Sequence, residues 1–175
     1  MNWMEQSEYA VAEAVCFCMG LDPESKKAYD FIRYTYRDDG SRPQPARTKD
    51  VCYITTSILQ TPGVVERKLN GETISIETTI PMEFLLTFYG PNAAANAERT
   101  RMLLVIDTGY GCPLDTFRSN NLSLSVPIQP SVYAPEQEDG NWRKRADLKI
   151  TLTYLERIET GAKTVTTPPT ISLEI

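Results

Sequence analysis

Histidine is absent from the 175 residues. With it go the imidazole base that activates serine and cysteine nucleophiles and the commonest protein ligand of catalytic zinc. Glycine (9) and proline (12) are too sparse for a collagenous or broadly disordered chain, while 41% hydrophobic and 23% charged residues are ordinary for one folded domain. No stretch approaches the ~20 apolar residues that a membrane-spanning helix needs. Met1 to Tyr9 shows no basic stretch followed by an apolar run, so no secretory signal is expected, and a reducing cytoplasm suits the chain. Basic residues are in deficit as well: 18 Lys and Arg against 23 Asp and Glu give a formal charge of -5, so duplex DNA would be weakly repelled.

Catalytic motifs are also lacking. No Walker loop, Gly-x-Gly-x-x-Gly or Gly-x-Ser-x-Gly occurs. Four cysteines, at 16, 18, 52 and 112, could form disulfides or a zinc site, but Cys16 and Cys18 fall in a helical pattern, where two residues are about 200° of rotation apart and cannot share one metal. Buried free thiols are expected. Gly109-Tyr110-Gly111-Cys112 places a thiol in a turn with no neighbour that would lower its pKa, and Asp38-Asp39-Gly40 reads as a turn rather than a calcium loop. No catalytic, cofactor-binding or metal-binding residue is assigned, and no cofactor is called for.

What the chain does contain is strand and helix in alternation. An amphipathic helix is expected over 7–19, with Tyr9, Ala10, Ala14, Phe17 and Cys18 as its apolar positions, closed by Gly20 and followed by a further helical turn at Asp22-Pro23-Glu24. Strands are expected near 31–36, 51–60, 64–69, 72–79 and 84–89, with residues 41–49 an extended connection and Asn70-Gly71 a hairpin turn. A second long helix, over 93–106, can be capped by Asn92; its alanines approach a sheet closely, and Met102, Leu103, Val105 and Ile106 supply its buried end. A short helical turn at Leu114 to Arg118 precedes strands near 122–128, 148–158 and 170–175. In the first of these, Leu122, Leu124, Val126 and Ile128 share a face. The fold class is α+β: a mostly antiparallel sheet with two main helices packed on it and a projecting hairpin, in a single domain over 1–175.

Three segments are candidates for subunit contact. Glu66, Arg67 and Lys68 lie in the projecting hairpin, which is either an ordinary solvated hairpin or a device for joining subunits. Residues 129–145 form a long loop, a feature that is usually functional or disordered. Trp142 in it is either a hook on the core or an exposed interface anchor, and Arg143, Lys144 and Arg145 are either solvated polar surface or an electrostatic contact. Ile171 and Leu173, in the last strand, could pair across subunits.

The order helix, strand near Ile32-Arg33, Pro-rich turn, strand, then Phe88-Tyr89-Gly90-Pro91-Asn92-Ala93 running into an alanine-rich helix resembles the phage neck and tail terminator proteins. So does the end, where the Leu114 to Arg118 turn, the Leu122 strand and a long loop lead into Arg145-Ala146-Asp147-Leu148-Lys149-Ile150-Thr151-Leu152-Thr153-Tyr154. The resemblance spans residues 8 to 175. It implies a non-catalytic virion subunit assembled in the host cytoplasm. Its partners would be itself, as a ring with a hexamer preferred over a dodecamer, a portal, adaptor or connector protein, and a tail tube or nozzle protein. DNA would pass through an acidic lumen without specific binding. Two rivals are a small carboxylate-dependent hydrolase, needing convergent acidic groups, and a nucleic-acid-binding β domain using Tyr34, Tyr36 and the 143–145 cluster.

Overall fold

Asn2 caps the first helix, which begins at Trp3, four residues before Ser7. Its Oδ1 accepts the Glu5 N–H at 2.8 Å while its own N–H reaches Glu5 Oε2 at 3.3 Å, a reciprocal cap that starts α1 at Trp3. In this structure, a computed structural model that describes residues 2–35, 45–59, 65–70, 73–106, 112–138 and 140–161, α1 runs Trp3–Met19 and closes at Gly20 in the left-handed region. Its buried stripe is Ser7, Ala10, Val11, Ala14, Val15 and Cys18. Tyr9 and Phe17, expected inside, are half-exposed, because small side chains let α1 lie close to the sheet and the aromatic positions fall outside that stripe.

The second helix, α2 (Lys26–Phe31), starts later than Asp22-Pro23-Glu24 because Ser25 Oγ accepts the Ala28 N–H at 3.1 Å. It ends on Phe31, which shortens the expected 31–36 strand to β1 (Ile32–Tyr34). Next come β2 (Val51–Ile58), β3 (Val65–Asn70) and β4 (Thr73–Tyr89). Asn70 lies in β3 opposite Thr73, not at the centre of a turn.

The strands expected at 72–79 and 84–89 are one 17-residue strand. Pro81 does not break it. Its carbonyl accepts the Leu59 N–H at 3.1 Å, so its missing N–H faces the same side, in the gap between the end of β2 and the start of β3, and the ladder to β9 (Arg145–Gly161) is uninterrupted.

Helix α3 (Ala93–Leu104) starts at Asn92, but the Asn92 side chain does not cap it. Instead Asp50 Oδ1 accepts the Asn92 backbone N–H at 3.0 Å and Oδ2 accepts its Nδ2 at 2.9 Å. Then follow α4 (Pro113–Ser119), β5 (Leu122–Leu124), β6 (Val132–Tyr133), β7 (Glu136–Glu138) and β8 (Asn141–Arg143). The expected 122–128 strand stops at Leu124, and Val126 is exposed rather than on the buried face with Leu122 and Ile128. Residues 129–145 are not a structureless loop: they carry β6 and a β7–β8 hairpin. Residues 36–44 and the expected 170–175 strand, with Ile171 and Leu173, lie outside the described residues.

The main sheet has the order β1-β2-β4-β9-β5, with β3 beside the first half of β4 and β6 beside the start of β9. Among the described strands only β1 and β2 pair in parallel. The fold class is α+β, a mostly antiparallel sheet carrying helices. Met82, Phe84, Leu86 and Phe88 alternate along β4 toward the helices, opposite Leu152, Ile150, Leu148 and Ala146 of β9, and all are buried. Ala93, Ala97 and Leu104 of α3 and the α1 stripe complete this core.

Candidate functional site

The central strands outrun the helices. Trp3, the first residue of α1, stacks on Tyr154 with ring centroids 5.8 Å apart, and Tyr154 is opposite Ile80. Beyond this point Thr73–Thr79, their β9 partners Leu155–Gly161 and β3 form a three-stranded arm.

Alternation gives the arm two different faces. One carries Glu66, Lys68, Ser75, Glu77 and Arg157: Lys68 Nζ lies 3.2 Å from Glu66 and 3.1 Å from Glu77, and Arg157 also bonds Glu77. These partners hold the Glu77 carboxyl below the usual carboxylate range, through its bonds to Lys68 and then Arg157. The other face continues the core side of β4 through Thr78, Ile76 and Ile74, and the register places positions Val65, Leu69 and Ile158 beside them together with the polar positions Glu156, opposite Thr78, and Thr160, opposite Ile74. Arg67 is on that second face, opposite Ile76, apart from its expected companions Glu66 and Lys68.

The 143–145 cluster is largely turned inward. Arg143, a candidate contact residue, is buried: its guanidinium carbon lies 4.4 Å from the centre of the Tyr89 ring, with Arg145 at 5.9 Å. Tyr89 in turn meets Tyr53 edge-on at 5.7 Å. Burial, and next a hydrogen bond to Glu136, push the Tyr89 hydroxyl up to about 12. Arg145 donates to Asp147 Oδ1 and Oδ2, each at 2.9 Å, and to Glu136 Oε2 at 2.8 Å. Lys144 is exposed, with Nζ 3.3 Å from the Pro91 carbonyl. Two of the three cations are thus engaged within the chain, which removes the free basic cluster on which a nucleic-acid reading relied. A groove of about 370 Å³ remains between Thr35, Tyr53, Thr87, Tyr89 and Arg143 on the face of the sheet away from the helices.

Trp142, next to that buried arginine, is 70% exposed, so it is not a hook on the core. On an alternating strand, burying Arg143 against Tyr89 turns Trp142 to the other side. Val132 and Tyr133 of β6 are exposed as well. At the end of α3, Met102, Val105 and Ile106 are 56%, 45% and 40% exposed; Leu104, not these residues, enters the core. Sequence reading missed Asp50, Tyr53 and Tyr89 as organising residues. The Tyr89-Gly90-Pro91-Asn92 break carried a signal for a tight turn, but nothing local to it pointed to Asp50.

The four cysteines form no disulfide and are buried. Burial raises Cys16 to about 11 and Cys18 to about 12, and drives Cys52 upward too, which disfavours thiolate chemistry. Among the described residues no group of three His, Cys, Asp or Glu is placed to hold a metal. The carboxylates with resolved shifts, Glu77 and Glu98, are lowered by basic partners, opposite to what a general acid requires.

A family model described as phage neck terminator protein matches residues 10–174. The chain belongs to that family. No curated protein matches it significantly. A neck terminator has a structural role at the phage neck, which implies a place in the virion and contact with other head-tail proteins. No helix among the described residues is long and apolar enough to cross a membrane.

Proposed function

We propose that this neck terminator is the repeating subunit of a ring at the head-tail junction, a single structural domain that caps the tail tube and joins it to the portal or connector complex without catalysing a reaction. The observation that carries this reading is the arm: strands of one continuous sheet extend past the helical layer with one face charged and self-paired and the other continuing the core side. Such a ribbon reaches past the helical layer, where a neighbouring subunit can meet it. The exposed Trp142 offers a second anchor, for the adjoining head or tail protein.

In the ring, Glu66, Arg67 and Lys68 lie at the boundary between copies, while Lys144 and Trp142 face a different protein. The C-terminal stretch with Ile171 and Leu173 pairs with a neighbouring strand. A net charge of -5 lets DNA traverse the lumen without adhering. Assembly takes place in the host cytoplasm, a hexamer is preferred over a dodecamer, and no cofactor takes part.

Native mass measurement combined with electron microscopy of the purified protein and of phage particles tests this. A closed oligomer, and the same ring at the neck, is the expected result. Monomers in solution together with particles whose necks lack the chain would refute it.

A further inference from the structure

Resting on the ring reading, we propose how the arms join: the outer edge of β9 in one copy's arm pairs in parallel with the outer edge of β3 in the next, so the arm sheets run on from subunit to subunit. Among the described residues both edges are open. Strand β3 pairs with β4 alone, and β5 leaves β9 where the Leu155 N–H meets the Asn121 carbonyl at 2.9 Å, so residues 156–161 face no strand on that side. A row of unpaired N–H and C=O groups is a template for another strand, and neither segment carries a proline to blunt it.

Topology and symmetry set the direction. Strands β3 and β9 are each antiparallel to β4, so they run the same way. Neighbours in a ring of six are related by a turn of about 60°, so the next copy's strands still run broadly with this copy's and the pairing is parallel. The backbone suits it. By alternation from Leu155, Arg157, Glu159 and Gly161 also turn their N–H and C=O groups outward. The Pro81 carbonyl points to the β2 and β3 side of β4, so Glu77, Ser75 and Thr73 bond their opposites Glu66, Lys68 and Asn70, and Val65, Arg67 and Leu69 turn their backbone groups outward. A parallel ladder interleaves the outward residues of its two strands. At equal height these do: Arg67 falls between Arg157 and Glu159, and Leu69 between Glu159 and Gly161.

Charge selects that height. A slip of one residue would set each charged face against its neighbour's other face. At equal height Glu66 lies beside the next copy's Arg157 and Lys68 beside its Glu159; a slip of two residues sets Glu66 beside Glu159 in one direction and Lys68 beside Arg157 in the other. Although Lys68 and Arg157 both bond Glu77, about half of each side chain stays exposed, as does that of Glu66, and Glu159 is exposed too. Pairing of like edges, β3 on β3 or β9 on β9, occupies one edge of each arm and stops at two copies. In the ring every copy makes the contact twice, and the last contact closes the circle intramolecularly.

Disulfide trapping in the full-length chain, whose native thiols are buried, tests this. Chains carrying Lys68→Cys and chains carrying Glu159→Cys, mixed and mildly oxidised, should yield a linked pair that neither gives alone. Within one chain the two positions lie two strands apart, about 10 Å, too far for a disulfide, so a chain with both substitutions should yield a ladder ending at the ring number. Lys68→Cys with Arg157→Cys, the slipped register, should not link. Glu66→Cys with Arg157→Cys replaces the first pair if either of its chains has a lowered melting temperature. Linkage of Lys68→Cys chains to each other, of Glu159→Cys chains to each other, or of Lys68→Cys to Leu173→Cys would give an edge to a different occupant and overturn the proposal. So would equal linkage in the slipped register, or no link at all. Loss of the link while native mass still shows a closed oligomer overturns only this contact; a chain that is monomeric and missing from necks overturns the ring as well.

Discussion

At the scale of single residues, Gly90 shows how a turn is made by exclusion. Its φ is +115°, and a Cβ there would lie 2.5 Å from Asp50 Oδ1 and 2.7 Å from the Asp50 Cα and the Lys49 carbonyl. The strand end, the turn and the start of α3 close on one another because nothing projects from this residue, and Asp50 then ties down Asn92. Gly90→Ala should therefore lower stability by about 2–4 kcal/mol, through both backbone strain and the clash, read as a drop in urea midpoint. Asp50→Ala, which leaves the Asn92 N–H without this acceptor, should cost about 1–2 kcal/mol in the same assay. The thiols give a pH prediction. Folding raises Cys16 to about 11 and Cys18 to about 12 from an ordinary value of 9.0, so it favours the protonated form. Their contribution is complete below about pH 9 and is lost as pH rises toward 11–12, because there the unfolded chain has released protons that the folded chain retains. Urea unfolding at pH 8 and pH 10 should show stability falling by about 1–3 kcal/mol, with the thiols unreactive to a thiol reagent until the chain unfolds.

At the scale of elements, burial decides which substitutions matter. Leu86 is wholly buried beneath the helices, and Leu86→Ala should cost about 2–5 kcal/mol, whereas Ile74→Ala in the arm of an isolated subunit should cost less than about 1 kcal/mol. The β7–β8 hairpin depends on Arg143 lying over Tyr89. Arg143→Ala should accelerate amide hydrogen exchange across 136–143 and destabilise the chain by about 1–2 kcal/mol, and Arg143→Lys should restore it only in part, since the planar stack is lost. Much of the element order was legible because period and turn chemistry are local: Gly20 closes α1, Pro113 opens α4, and the alternation of Leu148, Ile150 and Leu152 marks β9. What misled was equally physical. Pro81 reads as a break only until its nitrogen is seen to face away from the β9 ladder, on the side where its carbonyl accepts the Leu59 N–H, and Ser7 reads as a helix start although its Oγ merely donates back to the Trp3 carbonyl at 2.8 Å. The buried stripe of α1 was misjudged because aromatic residues at 9 and 17 outweighed the small residues that let the helix approach the sheet.

At the scale of the whole molecule, the contact surfaces were only partly visible beforehand. A charged hairpin could be recognised from Glu66 to Lys68, but the three-stranded arm to which it belongs emerges only when β4 and β9 are seen to be single long strands. Tertiary pairing likewise determined that Arg143 turns in and Trp142 out, a choice between equals in the sequence. The parts that resisted a sequence reading are those set by contacts between distant segments, Asp50 with Asn92 and Glu77 with Arg157 among them. Assembly should itself be stabilising: if copies pair along their arms, the melting temperature should rise with protein concentration, and rise less for Glu159→Lys. The central claim, that this protein works by repeated contact with copies of itself at the neck, is tested most directly by cryo-electron microscopy of the head-tail junction. The account predicts a closed ring, six copies in preference to twelve, with each arm lying on the next subunit; a junction from which the chain is missing, or where its copies do not touch, would contradict it.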